Sequence, residues 1–364
     1  MHYKLLTPGP LSTSDKVKQA MLVDLCTWDE DYKDLVEGIR KKLLEINHLD
    51  QGVYTTVLMQ GSGTFGVEST IVSTISEEGK LLVLVNGVYG DRIKEIARKA
   101  NKQVDVLSFA DTEIVRTEVL EQYLEENKEV SHVAFVHCET TTGILNPLEA
   151  ICQVVKKHNK ILIVDAMSSL GGIPMNIDEL GIDFIVSSAN KCIQGVPGFS
   201  FIIAKQSQLK RCEGISHSLS LDLYDQWKEM EKDRGKWRFT SPTHVVKAFE
   251  QALNELIEEG GIEKRYERYV TNQKTLVERM KDIGFIPCIE EIYQSPIITT
   301  FLFHKSEKFT FEGFYQYIKK YGFVIYPGKL TNFKAFRIGN IGDINRYDME
   351  LLTNIIAQYV KEEL

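Results

Sequence analysis

From Tyr54 to Ala204 the chain alternates short apolar runs with stretches of helical spacing. The apolar runs predict strands at Tyr54 to Met59, Lys80 to Val85, Gln103 to Phe109, His132 to His137, Ile161 to Asp165 and Phe184 to Ser187. Between them, Asp91 to Ala100 and Leu148 to His158 place apolar residues on one face of a helix. Such alternation predicts an α/β fold, a mainly parallel sheet covered on both faces and joined by right-handed crossovers. Pro197-Gly198 then turns the chain into Phe199 to Ala204, an expected antiparallel neighbour. Upstream, Thr7-Pro8-Gly9-Pro10 is a stiff turn, and Ser12 to Ser14 supply a cap for an amphipathic segment around Val17 to Val23. A second helix opens on Asp29, Glu30 and Asp31 and ends at Lys41-Lys42, an order that suits the helix dipole.

Beyond the sheet the rhythm changes. Ser216 to Pro242 shows no clear period, and a connection of that length is usually functional or interfacial. Helices resume at Val245 to Glu259, are interrupted by Gly260-Gly261 and continue to Lys281. A strand at Ile297 to Phe303, a helix at Phe311 to Lys320, short strands near Val324 and Phe336 and a helix from Asn345 read as a separate, smaller α+β domain. With 364 residues the chain exceeds what one core usually holds, so two domains are expected. The division is a large domain over 14–258 and a small domain formed by 1–13 and 259–364.

Composition narrows the class without fixing it. A hydrophobic share of 43% and a charged share of 26% are those of a globular protein, and a net charge of −8 disfavours a nucleic-acid surface. The six cysteines are scattered without C-x-x-C spacing and read as free thiols in a reducing compartment. No apolar run reaches the roughly 18 residues of a membrane span, and the first residues have no signal-peptide core. A cytoplasmic protein that binds neither nucleic acid nor membrane is expected.

The candidate chemistry collects at strand ends. Gly61-Ser62-Gly63-Thr64-Phe65-Gly66 matches G-x-G-x-x-G between a strand and a helix, which raises a dinucleotide-binding reading. That reading also wants an acid about 20 residues on, at the end of the next strand; Asn86-Gly87 stands there. The alternative is a phosphate cup formed by the helix N-terminus with the Ser62 and Thr64 hydroxyls. Tyr89, at the next junction, is a stacking plate or a rim aromatic, and Thr140-Thr141-Thr142 a wall of hydroxyls or a turn. Asp165 closes an apolar strand, where a buried carboxylate needs a cation or a donor. Lys191 follows a later strand at the same edge. Pyridoxal phosphate calls for this set: a phosphate cup, a plate, a lysine for the Schiff base and an aspartate that keeps the ring nitrogen protonated. A dehydrogenase has no use for Lys191.

The wording of these segments resembles the fold-type I, class V aminotransferases, and within them the transaminases of aminophosphonates. LLTPGPLSTS, QGSGTFGVE, NGVYG, HCETTTGILNP, IVDAMSSLGGIPM, SSANKCIQGVPGF, GKWRFTSPTH and FRIGNIG carry the resemblance, almost end to end. It implies a pyridoxal 5'-phosphate enzyme that converts 2-aminoethylphosphonate and pyruvate to phosphonoacetaldehyde and alanine in phosphonate degradation. An alanine or serine:glyoxylate aminotransferase of the same class is the alternative. By resemblance Lys191 is the Schiff-base lysine and Asp165 the pyridinium partner. Ser62, Gly63 and Thr64 hold the cofactor phosphate, Tyr89 stacks on the ring and Thr140 lies near the ring hydroxyl. Arg337 grips the acidic group of the substrate. The resemblance further implies a homodimer with its active site at the interface, where Thr240 reaches the neighbouring subunit's cofactor. His217 stands where these enzymes usually carry an arginine, which leaves an anion contact there in doubt.

Overall fold

The computed structural model of the chain describes residues 3–329 and 333–364. Residues 1, 2 and 330–332, all assigned above to the small domain, lie outside the described residues.

The six apolar runs form strands close to their expected limits: β1 Tyr54–Gln60, β2 Lys80–Val85, β3 Gln103–Ser108, β4 His132–Val136, β5 Ile161–Asp165 and β6 Phe184–Ser188, followed by β7 Phe199–Lys205. Their order across the sheet is β1-β7-β6-β5-β4-β2-β3. Only β7 runs against its neighbours, pairing antiparallel with both β1 and β6. The reason lies in the connection from Ser188 to Phe199, which is too short for the crossover that a parallel return requires. Because β7 is reversed between them, β1 and β6 point the same way. The C-terminal ends of β1, β2, β4, β5 and β6 therefore open on one edge. The central strands are buried on both faces, as Ile185, Val186, Leu162 and Val133 show.

Two helices meet that edge: α1 Gly63–Thr74 leaves β1 and α2 Val88–Lys99 leaves β2. The stretch with no visible period holds a third, α3 Leu223–Lys232, a helix that the sequence pattern leaves unassigned. Its buried face carries Leu223, Gln226, Trp227 and Met230. Gln226 interrupts the apolar pattern because its amide donates to the Leu58 carbonyl at 3.1 Å.

Helix α4, Gly261–Asp282, joins the two apolar cores. Its N-terminal part clamps the loop that follows β6. Arg265, fully buried, donates to the carbonyls of Cys192 and Ile193 at 3.0 and 3.3 Å, and the Tyr269 hydroxyl adds a bond to Cys192 at 3.0 Å. Leu276 and Met280 from its other end enter the second core. That core packs a three-stranded sheet, β8 Ile298–Leu302, β9 Tyr326–Pro327 and β10 Ala335–Gly339 in the order β8-β10-β9, under the helices Phe311–Lys320 and Arg346–Glu363. Lys4–Leu5 pairs with Phe323–Val324, so the first residues belong physically to this unit.

Successive residues of a strand face opposite ways. On β10, Phe336 turns inward, its ring 4.9 Å from Phe314 and edge-on to Phe285 at 5.5 Å, while Arg337 beside it faces the first domain. Phe336 is thus the anchor of the strand that carries Arg337. Phe336→Ala is expected to destabilise the protein by about 3–5 kcal/mol, read as a fall in the denaturant midpoint; a midpoint shift near zero would show that β10 is held by something else.

Candidate active site

At the shared edge lies a cavity of about 230 Å3, lined among others by Ser62, Gly63, Thr64, Tyr89, Asp165 and Lys191. Six of the residues singled out in the sequence thus meet in one place, delivered by β1, β2, β5 and β6.

The floor is set by α1. Ser62 holds the cap position in extended backbone without spending its hydroxyl on its own helix. The first amides of a helix have no intrahelical acceptor, so those of Gly63 and Thr64 point out as donors. With the hydroxyls of Ser62 and Thr64 they form a cup whose chemistry suits a phosphate. A side chain at position 63 would strike the Met167 sulfur, so glycine keeps the cup open. Arg92, which sequence reasoning missed, completes it: its Nη1 donates to Thr64 Oγ1 at 3.2 Å and its guanidinium lies 4.9 Å from the Tyr89 ring. The signal was its spacing of three residues from Tyr89 on a helix, which puts both on one face.

Asp165 ends β5 with its side chain almost wholly buried. Oδ1 accepts from the Met167 amide at 2.9 Å. Burial raises its pKa to about 6, against which the Met167 amide and the charge of Lys191 work only in part. Lys191 is affected in the complementary sense: burial lowers its pKa and so favours the free amine. Gly9 is packed against the lysine, in a backbone conformation with φ +130° that side chains rarely adopt; a Cβ there would lie 2.6 Å from Lys191 Cδ. The stiff turn at residues 7 to 10 is therefore a wall of the lysine channel, a role only the fold could reveal.

Glu139 is the second residue that the sequence reading passed over. Fully buried, it accepts from the Thr141 hydroxyl at 2.7 Å and the Thr141 amide at 3.2 Å, and from the amides of Tyr89 and Gly90 at 3.1 and 3.4 Å. A carboxylate at the N-terminus of α2 is favoured by the helix dipole, although burial still raises its pKa. Gly87 is required beside it, because a Cβ there would lie 2.5 Å from the Glu139 carboxyl carbon. Tyr89 is thus held by its own backbone against a fixed anion.

The remaining residues singled out in the sequence fall outside the cavity lining. Thr140 is buried, and its carbonyl accepts from Arg337 Nη1 at 2.8 Å. Arg337 Nε donates to the Pro327 carbonyl at 3.0 Å, and no carboxylate pairs with this guanidinium among the described residues. Thr240 is exposed on the loop before the helix Thr243–Glu258. His217 is exposed too, 3.5 Å from Glu77. Cys138, given no role in the sequence, does line the cavity. Asn86, where a ribose-binding acid would stand in a dinucleotide site, is buried and donates to the Glu113 carbonyl and to Asn146 Oδ1, each at 2.8 Å. The dinucleotide reading of Gly61 to Gly66 loses its second requirement.

Residues 24–332 match the profile of the family described as Aminotransferase class-V. A 2-aminoethylphosphonate--pyruvate transaminase of Bacteroides fragilis is 57% identical over 357 residues, which cover 98% of each chain. A bifunctional phosphonoacetaldehyde hydrolase/aminoethylphosphonate transaminase of Clostridioides difficile is 55% identical over 358 residues, 98% of this chain and 56% of that one. Among solved structures, the alanine--glyoxylate aminotransferase of Nostoc sp. superposes with a TM-score of 0.90 at 23% identity, covering 100% of this chain and 96% of the other, a likeness of fold. The geometry of the lysine, the buried aspartate and the phosphate cup agrees with that match, and the chain belongs to the class-V aminotransferase family.

Proposed function

We propose that this protein transfers the amino group of 2-aminoethylphosphonate to pyruvate, releasing phosphonoacetaldehyde and alanine in phosphonate degradation. The observation that carries the reading is the meeting of Lys191, Asp165 and the Ser62–Thr64 cup in one cavity, in a chain 57% identical over nearly its whole length to a transaminase of that name. The fused Clostridioides difficile relative pairs such a transaminase with a hydrolase of the expected aldehyde product.

The cofactor is pyridoxal 5'-phosphate, and the donor set of the cavity fits it. When bound, it supplies a ring that withdraws electrons from the carbon next to the transferred nitrogen. In our assignment, Ser62, Gly63 and Thr64 hold its phosphate, Tyr89 covers one face and Thr140 lies near the ring hydroxyl. Asp165, buried at the end of β5, would keep a proton on the ring nitrogen. Lys191 would hold the cofactor covalently through Nζ and, as a free amine, would carry a proton to and from the reacting carbon. Its lowered pKa serves both tasks, since each needs the neutral amine. Arg337 takes the acidic group, its planar fork matching a carboxylate or a phosphonate.

A homodimer with a shared active site fits the surface beside the cup. Phe65, Leu219 and Phe239 are large, apolar and exposed, and Phe65 and Phe239 line one groove with Gly61. Thr240 follows Phe239 and would be carried to the partner's cofactor. The two separate cores support a large domain over 14–258 and a small one over 1–13 and 259–364. A cytoplasmic location suits six unpaired cysteines, and among the described residues no helix is long and apolar enough to cross a membrane.

The decisive assay is alanine formation from pyruvate and 2-aminoethylphosphonate by the holoenzyme. Turnover of glyoxylate to glycine instead would replace this reading with the alanine or serine:glyoxylate alternative. Lys191→Ala is expected to lose the cofactor's protein-bound absorbance and at least about 1000-fold in kcat; substantial steady-state turnover would remove Lys191 from its role. Asp165 gives a test in the cofactor-free protein. A carboxyl whose folded pKa lies above its unfolded value binds its proton more tightly when folded, so its ionisation costs stability above pH 6 and the cost fades as pH falls through 6 toward 4. Asp165→Asn is therefore expected to raise the melting temperature at neutral pH, by the equivalent of up to about 3 kcal/mol, with the gain shrinking on acidification. A gain that grows on acidification would contradict it.

A further inference from the structure

Tyr89 has a second cation on it. Lys329 Nζ lies 5.6 Å from the ring centroid, while Arg92 stands 4.9 Å from the same ring. Lys329 comes from the segment leaving β9, two residues after Pro327, whose carbonyl holds Arg337 Nε. The paired strands β9 and β10 and the residues just after β9 therefore carry both cations to the side of the cavity where Tyr89 stands. Neither is within ion-pair distance of a carboxylate among the described residues. The nearby anion is already engaged, since Glu139 accepts from four donors of Tyr89, Gly90 and Thr141.

The two substrates of the proposed reaction differ in charge at the end that Arg337 grips. Pyruvate offers a carboxylate with one negative charge. A phosphonate, like a phosphate monoester, carries close to two near neutral pH and three acceptor oxygens. One buried guanidinium matches the carboxylate. A second cation beside it gains nothing from pyruvate, but it matches the extra charge and the third oxygen of the phosphonate.

We infer that Lys329, held over Tyr89 beside Arg337, is a specificity-determining residue that binds the phosphonate of the amino donor and leaves the carboxylate of the keto acceptor to Arg337. The inference rests on the aminophosphonate reading given above. Lys329 is exposed, so its removal leaves the fold intact.

The test uses the holoenzyme and compares the two half-reactions. Lys329→Met is expected to raise KM for 2-aminoethylphosphonate roughly fivefold, the scale of one exposed ion pair, while KM for pyruvate changes by less than about twofold and kcat holds. Lys329→Arg should restore most of the loss. Competitive inhibition by ethylphosphonate should weaken in Lys329→Met, and inhibition by propionate should not. Arg337→Ala provides the contrast, weakening both substrates. Equal changes for the two substrates in Lys329→Met, or none for 2-aminoethylphosphonate, would overturn the inference and leave the reading standing. A wild-type enzyme that forms no alanine from 2-aminoethylphosphonate would overturn both.

Discussion

A carboxylate at the end of a buried strand is a charge that the protein cannot solvate, and Asp165 makes the rest of the site necessary. Its one direct donor among the described residues, the Met167 amide, does not offset the loss of water, and its pKa is raised to about 6. Lys191 lines the same cavity and suffers the opposite distortion. Each is less comfortable alone than it would be beside a cationic ring with a carbonyl carbon for the amine.

Holding an uncomfortable lysine takes structure elsewhere. The loop after β6 is fastened at its carbonyls 192 and 193 by Arg265 and Tyr269. Those two residues belong to α4, whose far end is built into the small-domain core. The small cluster of Leu11, Cys138, Cys192, Tyr269, Ile297 and Ile341 fills the space between the cores just behind Lys191. The site thus lies where two cores meet.

What was legible in the sequence follows from range. The sheet strands announce themselves because burial on both faces demands continuous apolar runs, and the motif residues follow because parallel strands deliver their ends to one edge. Helix α3 was hidden because Gln226 occupies a buried position for the sake of a carbonyl on β1. Glu139 and Gly9 were hidden for a related reason: their partners lie about 50 and 180 residues away, and neither periodicity nor local chemistry encodes such a meeting. Arg92 was within reach, since helical spacing from Tyr89 fixes its face. Arg337 entered only through family resemblance; the pattern of β10 makes it an arginine on an otherwise apolar strand and says nothing of its use.

The partners of Glu139 also bear on the charge that Arg337 keeps. A fully buried carboxylate and a buried guanidinium, linked through the Thr140–Thr141 turn, would ordinarily pair. Had they done so, an incoming acid would have to break a buried ion pair, at a cost of several kcal/mol. The fold gives Glu139 other partners: two amides at the N-terminus of α2, and the amide and hydroxyl of Thr141. Among the described residues it gives Arg337 backbone carbonyls alone, at Pro327 and Thr140, which orient the fork without neutralising it. The anion fixes the backbone of Tyr89, the carbonyls orient the guanidinium, and its positive charge stays unpaired among the described residues, as the proposed grip on an acidic group requires.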